Sequence, residues 1–277
     1  MEMNSKKLSF EFYPPKTNLG NEKLISIAKE FELLKPEYFS VTFGAGGSTK
    51  EGTFNACLAL KEKTNIDPCA HISGGTSNKE EIKSILNSYQ EAGFKRLVVL
   101  RGDLPSGVGG YGDFPYAKDL LEYIKGAYHN QFHIEVGAYP EVHPQAKSAD
   151  EDFVNFSNKV KAGADGAITQ FFFLPEAYYE FIERCEKENL GIPVTPGLIT
   201  ITNKESLFRM ANNCGAKIPQ KIIADLDKLN DEDVTKYGID VLTKLGEDLL
   251  SFGAPGIHFY TINKLEPTKT IVESLKL

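Results

Sequence analysis

Two hydrophobic periods alternate along the chain from end to end. Eight short apolar runs have strand length and are rich in β-branched and aromatic residues: LSFEFY, YFSVTF, PCAHIS, RLVVLR, HIEVGAY, GAITQFFF, PVTPGLI and GIHFYTIN. A longer stretch with helical spacing follows each of them. Leu24, Ile27, Ala28 and Phe31 form the 3/4-spaced face of a helix that packs on a sheet. Ser77 and Glu80 have the spacing of a capping box at a helix start. Gly93, Gly163 and Gly253 stand where helices should stop, shortly before the next strand. The stretch 219–250 reads as two helices rather than one, which puts an extra helix into the seventh unit.

Eight strand–helix units in 277 residues, with no linker or composition shift, predict an α/β fold: one (β/α)8 TIM barrel spanning residues 1–277 as a single domain. The alternative is an open doubly wound sheet, which would want a glycine-rich loop after an early strand. The first strand instead runs into Pro14 and Pro15. GVGGYG at 107–112 fits GxGxxG, but several loop residues separate it from the strand ending near Arg101, and it reads as a loop.

The bulk numbers narrow the partners. A net charge of −7 argues against a general binder of nucleic acid or anionic membrane. Four cysteines without paired CxxC spacing fit a reducing cytoplasm rather than a disulfide framework. No apolar signal core precedes the first strand, and no apolar run approaches membrane-spanning length. The expectation is a soluble cytoplasmic protein.

In a barrel, chemistry belongs at the C-terminal ends of the strands. Those ends carry Glu11, Thr42 and Phe43, His71, Arg101-Gly102-Asp103, Tyr139 and His143, Gln170, and then Tyr260, Thr261, Asn263 and Lys264. Alternation puts Ser9, Glu11 and Tyr13 on one face of the first strand and Leu8, Phe10 and Phe12 on the other. Glu11 is thus either a carboxylate paired with a cation inside the barrel or a general acid/base kept ready by burial beside aromatics. Arg101 and Asp103 are either a loop ion pair or an anion-binding cation beside a carboxylate that faces a developing cation. Without a motif, His71 and His143 read first as packed, hydrogen-bonded histidines. Gln170 needs both amide ends satisfied, by a ligand or by neighbouring backbone. Phe171 to Phe173 read as core. No HxH, HExxH or cysteine cluster suggests a metal, and no run offers the inward lysine of a Schiff-base aldolase.

The runs SFEFYPPKT, SVTFGAGGST, VLRGDLPSG, AYPEVHPQAKS, AITQFFF and HFYTIN, in this order from about Leu8 to Lys264, resemble those of the methylenetetrahydrofolate reductases of bacterial flavoprotein type. The resemblance implies an FAD-binding (β/α)8 barrel without a Rossmann fingerprint. It implies that NADH or NADPH reduces FAD, and that the flavin then reduces 5,10-methylenetetrahydrofolate to 5-methyltetrahydrofolate for methionine synthesis, in ping-pong order. It also implies a homo-oligomer with small-molecule substrates only, and no allosteric control by a methyl donor, since no regulatory domain follows. Glu11 matches the general acid, and Asp103 the aspartate near flavin and pterin. Gln170 matches a contact to folate and nicotinamide, and Thr42 a nicotinamide-nucleotide contact. Phe43, Ala45, His71, Arg101, Gly102, Tyr116, Ala117, Tyr139, His143, Ala146, Asp152, Asn155, Asn158 and Lys159 match flavin positions. Arg101 and Lys159 suit the pyrophosphate.

Three substrate-side positions depart from the pattern. Met210 stands for a stacking phenylalanine, Lys264 for an arginine and Ser206 for a glutamine. The loop RGDLPSGVGGYGDFPY is two residues longer than in some relatives. The readings to set against the folate reductase are an FAD barrel oxidising an amine such as proline and a non-catalytic flavin-binding subunit.

Overall fold

The computed structural model describes residues 6–43, 50–103 and 110–277. Its strands are β1 (Lys7–Phe12), β2 (Tyr38–Val41), β3 (Pro68–Ser73), β4 (Arg96–Leu100), β5 (His133–Ala138), β6 (Gly166–Thr169), β7 (Val194–Thr195), β8 (Gly197–Ile199) and β9 (Gly256–Tyr260). The helices are α1 (Asn18–Glu32), α2 (Lys50–Lys63), α3 (Lys79–Glu91), α4 (Ala117–Tyr128), α5 (Ala149–Lys161), α6 (Pro175–Lys187), α7 (Lys204–Cys214), α8 (Gln220–Leu226), α9 (Asp231–Phe252) and α10 (Thr268–Leu275). Every strand pairing is parallel, in the order β7-β6-β5-β4-β3-β2-β1-β9-β8.

The sequence pattern predicts PVTPGLI as one strand; the structure breaks it at Pro196 into β7 and β8. Proline has no N–H for the ladder. The break does not open the barrel, because the two edge strands are consecutive in the chain. The Pro196 carbonyl accepts from the His258 N–H at 2.9 Å, and the Gly197 N–H reaches Thr169 Oγ1 at 2.9 Å. Gly197 has to be glycine here: a Cβ would lie 2.3 Å from the Thr169 carbonyl oxygen and 2.6 Å from the Tyr260 ring.

The expected pair of helices in 219–250 is present as α8 and α9, and α7 precedes them, so the seventh unit carries three helices. The expected capping box is displaced by one residue. Asn78 and Glu81 exchange the two side-chain-to-backbone bonds, at 2.9 and 3.0 Å. Ser77 is already tied into the preceding loop, its N–H on the Gly74 carbonyl and its carbonyl under the Asp113 N–H.

Strand alternation sorts the core into two layers. Phe10 and Phe12 point outward into the helix layer, where Phe10 stacks on Phe31 at 4.1 Å and lies 6.1 Å from Phe259. Leu24, Ile27, Ala28 and Phe31 of α1 close that layer as expected. The barrel interior holds a smaller cluster of Tyr38, Cys69, Val98 and Ile168. At the N-terminal mouth several polar groups pair with one another, although Arg96 Nη1 is buried without a hydrogen-bond partner among the described residues. Glu37 takes both Lys7 (3.2 Å) and Arg96 (2.5 Å), Arg96 covers the Tyr38 ring, and His133 meets Glu135 at 3.0 Å. Among the described residues, no helix is long and apolar enough to cross a membrane.

Removing a buried ring from the outer layer leaves a cavity that the close-packed shell cannot refill. Phe10→Ala should therefore lower unfolding free energy by about 3–5 kcal/mol, read from urea denaturation, with the far-ultraviolet dichroism of the folded state retained.

Candidate active site

The opposite, C-terminal mouth holds a cavity of about 500 Å³. It is lined by Glu11 of β1, Thr42 and Phe43 after β2, His71 and Ser73 of β3, Gly102 and Asp103 after β4, Tyr139 after β5, Gln170 after β6 and Tyr260 of β9. Parallel strands with the same sense of alternation deliver these side chains to one rim, though the sequence spreads them over some 250 residues. A second cavity of about 240 Å³ is lined by Phe12, Tyr13, Phe171, Ile199, Thr261 and Ile262. Glu11, Gln170 and Tyr260 line both.

Glu11 lies on the shared wall. Its Oε2 is 3.4 Å from His71 Nε2 and 3.6 Å from His258 Nε2, and neither nitrogen has a hydrogen-bond partner among the described residues. The Ser9 hydroxyl holds the other side of the His258 ring, 2.7 Å from Nδ1. Burial pushes His71 down to about 4, against the opposing pull of Glu11. His71 is therefore neutral near pH 7, and its contact with Glu11 is polar rather than ionic. The bland reading of Glu11, a carboxylate paired with a cation, gets no support from His71. Burial raises the Tyr260 phenol well above its ordinary value, and the negative charge of Glu11 adds to the effect. That phenol donates to the Thr169 carbonyl at 2.7 Å, which fixes the ring between the two cavities.

Gln170 is satisfied from within the protein. Its Oε1 accepts the Phe171 N–H at 2.9 Å, its side-chain amide bonds with the Tyr139 phenol, and its backbone N–H separately donates to the Ala138 carbonyl at 2.7 Å. Phe171, Phe172 and Phe173 are buried core as expected, with Phe171 also forming cavity wall.

A cationic cluster lies beyond Tyr139, whose ring meets that of His143 edge-on at 4.5 Å. The His143 N–H donates to Asp152 at 2.8 Å. Lys159 donates to the Gly137 carbonyl at 2.5 Å. Burial lowers Lys159 to about 8, Asp152 opposes that shift and Arg101 reinforces it. Arg101 bonds Gln145 and covers the Tyr111 ring. Burial likewise lowers His143. Two cations within each other's field, Arg101 and Lys159, with the Asp152 and Asp103 carboxylates nearby, make a cradle suited to an anion.

The structure thus gathers Glu11, Thr42, Phe43, His71, Gly102, Asp103, Tyr139 and Gln170 on one cavity, and Arg101, His143, Asp152 and Lys159 beside it. Others line neither cavity. Ala146 lies before α5, and Asn155 and Asn158 on it. Tyr116 is the exposed N-cap of α4, with Ala117 its first residue. Ser206 and Met210 lie on α7, and Lys264 is exposed beyond β9. Ala45 and part of GVGGYG lie outside the described residues. The sequence reading missed His258, although alternation along GIHFY places it on the lumen face with Tyr260. It also missed the small-residue loop Ser73–Ser77, which lines the first cavity and carries no spacing signal.

The family model described as methylenetetrahydrofolate reductase matches residues 1–276. A 5,10-methylenetetrahydrofolate reductase of Pectobacterium carotovorum subsp. carotovorum is 35% identical over 270 residues, 97% of this chain and 89% of the relative. That of Escherichia coli (strain K12) is 34% identical over 97% of this chain and 90% of its own length. A Clostridium thermocellum protein that binds two copies of 5-methyl-5,6,7,8-tetrahydrofolic acid superposes with a TM-score of 0.66. It is 18% identical and covers 98% of this chain and 94% of its own, a likeness of fold.

The depressed His71 carries a stability consequence. Its folded value lies below the unfolded one, so its contribution is complete above about pH 6.5 and is lost as pH falls toward 4. The lowering from 6.5 to about 4 corresponds to on the order of 3 kcal/mol. Urea denaturation from pH 7 to pH 4 should show this loss, and His71→Gln should flatten the slope.

Proposed function

The chain belongs to the methylenetetrahydrofolate reductase family, oxidoreductases of one-carbon folate metabolism, and from that premise we propose that its barrel mouth holds FAD and uses NADH or NADPH to reduce 5,10-methylenetetrahydrofolate to 5-methyltetrahydrofolate. The observation that carries the reading is the convergence of Glu11, Asp103 and Gln170 on one cavity that shares its wall with a second. Binding a flavin alone would not require all three.

The residues fit the cofactor. Thr42, Phe43, His71, Gly102, Asp103 and Tyr139 offer a mixed apolar and polar lining for a flavin ring. Arg101 and Lys159, with His143 and Asp152 beside them, suit its diphosphate. Gly102 has φ +80, and a Cβ there would lie 2.7 Å from Ser73 Oγ, so the chain can turn sharply between Arg101 and Asp103. Bound there, FAD supplies the two-electron chemistry that links nicotinamide oxidation to folate reduction.

The protein's own groups handle protons, charge and orientation. The methylene bridge of the substrate must open to a 5-iminium cation before it can be reduced, and the leaving nitrogen needs a proton. Glu11 delivers it. The Asp103 carboxylate stabilises the cation that results and disfavours reduction of the flavin beside it. Gln170, held by the Phe171 N–H and Tyr139, presents a fixed amide to whichever substrate occupies the site. The two substrates use that site in turn, in ping-pong order. Ser206, Met210 and Lys264 meet only the parts of the folate that extend beyond the cavities. The chain acts as one catalytic domain within a cytoplasmic homo-oligomer.

Purified protein should be yellow and release FAD on denaturation. In stopped flow, Glu11→Gln should keep flavin reduction by NADH, which needs no proton from the enzyme, and lose about 10²–10⁴-fold in reoxidation by methylenetetrahydrofolate. Equal loss in both half-reactions would remove the proton role. FAD affinity should hold steady below pH 8 and weaken above it as the Lys159 ammonium, lowered to about 8, is lost. Fluorescence titration across that range should show the fall, and Lys159→Arg should remove it.

A further inference from the structure

The ladder between β1 and β9 ends where Glu11 registers with Tyr260. Beyond that point side chains join the pairing. The Glu11 carbonyl accepts from Thr261 twice, from Oγ1 at 2.7 Å and from the N–H at 3.3 Å. Asn263 then engages both backbone groups of Tyr13. Its Oδ1 accepts the Tyr13 N–H at 2.9 Å and its Nδ2 donates to the Tyr13 carbonyl at 2.8 Å. A primary amide presents an acceptor and a donor side by side, as one residue of a strand edge does. The substitution matters because Pro14 and Pro15 follow and bring no N–H to extend the strand.

The clasp carries backbone strain. To bring the amide onto Tyr13, the chain passes through Ile262 and Asn263, both at φ +51. Asparagine tolerates the left-handed region, whereas a β-branched isoleucine is an outlier there and persists only where its surroundings over-determine it. The strained Ile262 lines the second cavity together with Glu11, Phe12, Tyr13 and Thr261. One turn therefore ties down the backbone at the Glu11 carbonyl and at Tyr13 beyond it, and shapes the wall that the Glu11 carboxylate faces.

We propose that Asn263 is a positioning residue for the folate-reducing half-reaction, holding the end of β1 so that the Glu11 carboxylate meets the leaving nitrogen. The proposal rests on the proton-donor reading of Glu11. The first cavity is built from the ends of β2 to β6 as well, so loosening this turn leaves most of its lining untouched. A displacement of about 1 Å at a proton donor is enough to slow its step by up to 100-fold, while a step that needs no enzymatic proton is unaffected.

The test measures limiting rates of the two half-reactions by stopped flow, at saturating NADH and at saturating methylenetetrahydrofolate. The proteins are wild type, Asn263→Ala, Asn263→Gly and Asn263→Asp. Alanine removes the clasp; glycine removes the clasp and suits the positive φ at 263, leaving the strained Ile262 in place. Aspartate keeps the acceptor for the Tyr13 N–H and loses the donor to its carbonyl. The expected result is at least a tenfold fall in the folate rate for Ala and Gly alike, a smaller fall for Asp, and flavin reduction within twofold of wild type throughout. The pH profile of the folate rate should shift in the same variants.

Folate rates within twofold of wild type, or parallel losses in both half-reactions, would overturn the proposal. Should Ala and Gly fail to fold, a wild-type folate rate in Asp overturns it and a selective fall supports it. Wild-type protein that takes up FAD yet reduces no methylenetetrahydrofolate would overturn the functional reading and this proposal with it. A competent wild type beside a competent Asn263→Ala overturns this proposal alone.

Discussion

The strand β1 is held on two flanks and at its end, and the site depends on that restraint. In register it pairs with β2 on one side and β9 on the other. Phe10 and Phe12 anchor its outer face in aromatic packing, and Thr261 receives the carbonyl of Glu11 itself. A side chain on so constrained a backbone has few positions open to it. The Glu11 carboxylate consequently occupies the wall shared by two cavities, facing two buried imidazole edges of which His71 is neutral. Pre-organisation of this kind, with the supporting groups already in place, is what proton transfer at a fixed atom requires.

The two mouths of the barrel differ in how their polar groups are satisfied. At the N-terminal mouth Glu37 takes Lys7 and Arg96, and His133 meets Glu135, with Arg96 Nη1 left unpartnered among the described residues. At the C-terminal mouth the Thr42 hydroxyl and the Nε2 atoms of His71 and His258 are buried without a hydrogen-bond partner among the described residues. Unpartnered polar groups cost stability when dry. Three such atoms close to Glu11 suit a site that takes a polar ligand, and their place agrees with the general location of chemistry in this fold.

Much of this was legible along the chain. Alternation in LSFEFY separated Glu11 from the phenylalanines beside it, and the eight apolar runs gave the order of the barrel strands. The departures have local causes. Pro196 split the seventh strand because it lacks an N–H, and Ser77 lost the capping role because the loop before it had claimed its backbone. His258 was available to the same alternation argument that found Glu11, and only its lack of a motif hid it. The Ser73–Ser77 loop was not available to any such argument: small residues there have no period, and their value lies in the space they leave.

The sequence by itself determined which face of each strand is polar and which family the chain belongs to, because strand period and motif order are local properties of the covalent chain. Tertiary structure alone decided that Glu11, Gln170 and Tyr260 would form a wall common to two cavities. It alone brought Asn263 back onto Tyr13 from 250 residues away, and it set Lys159 close enough to Arg101 for each to feel the other's charge. Those outcomes depend on distances and dielectric surroundings that exist only once the barrel has closed, and no pattern of neighbours along the chain encodes them.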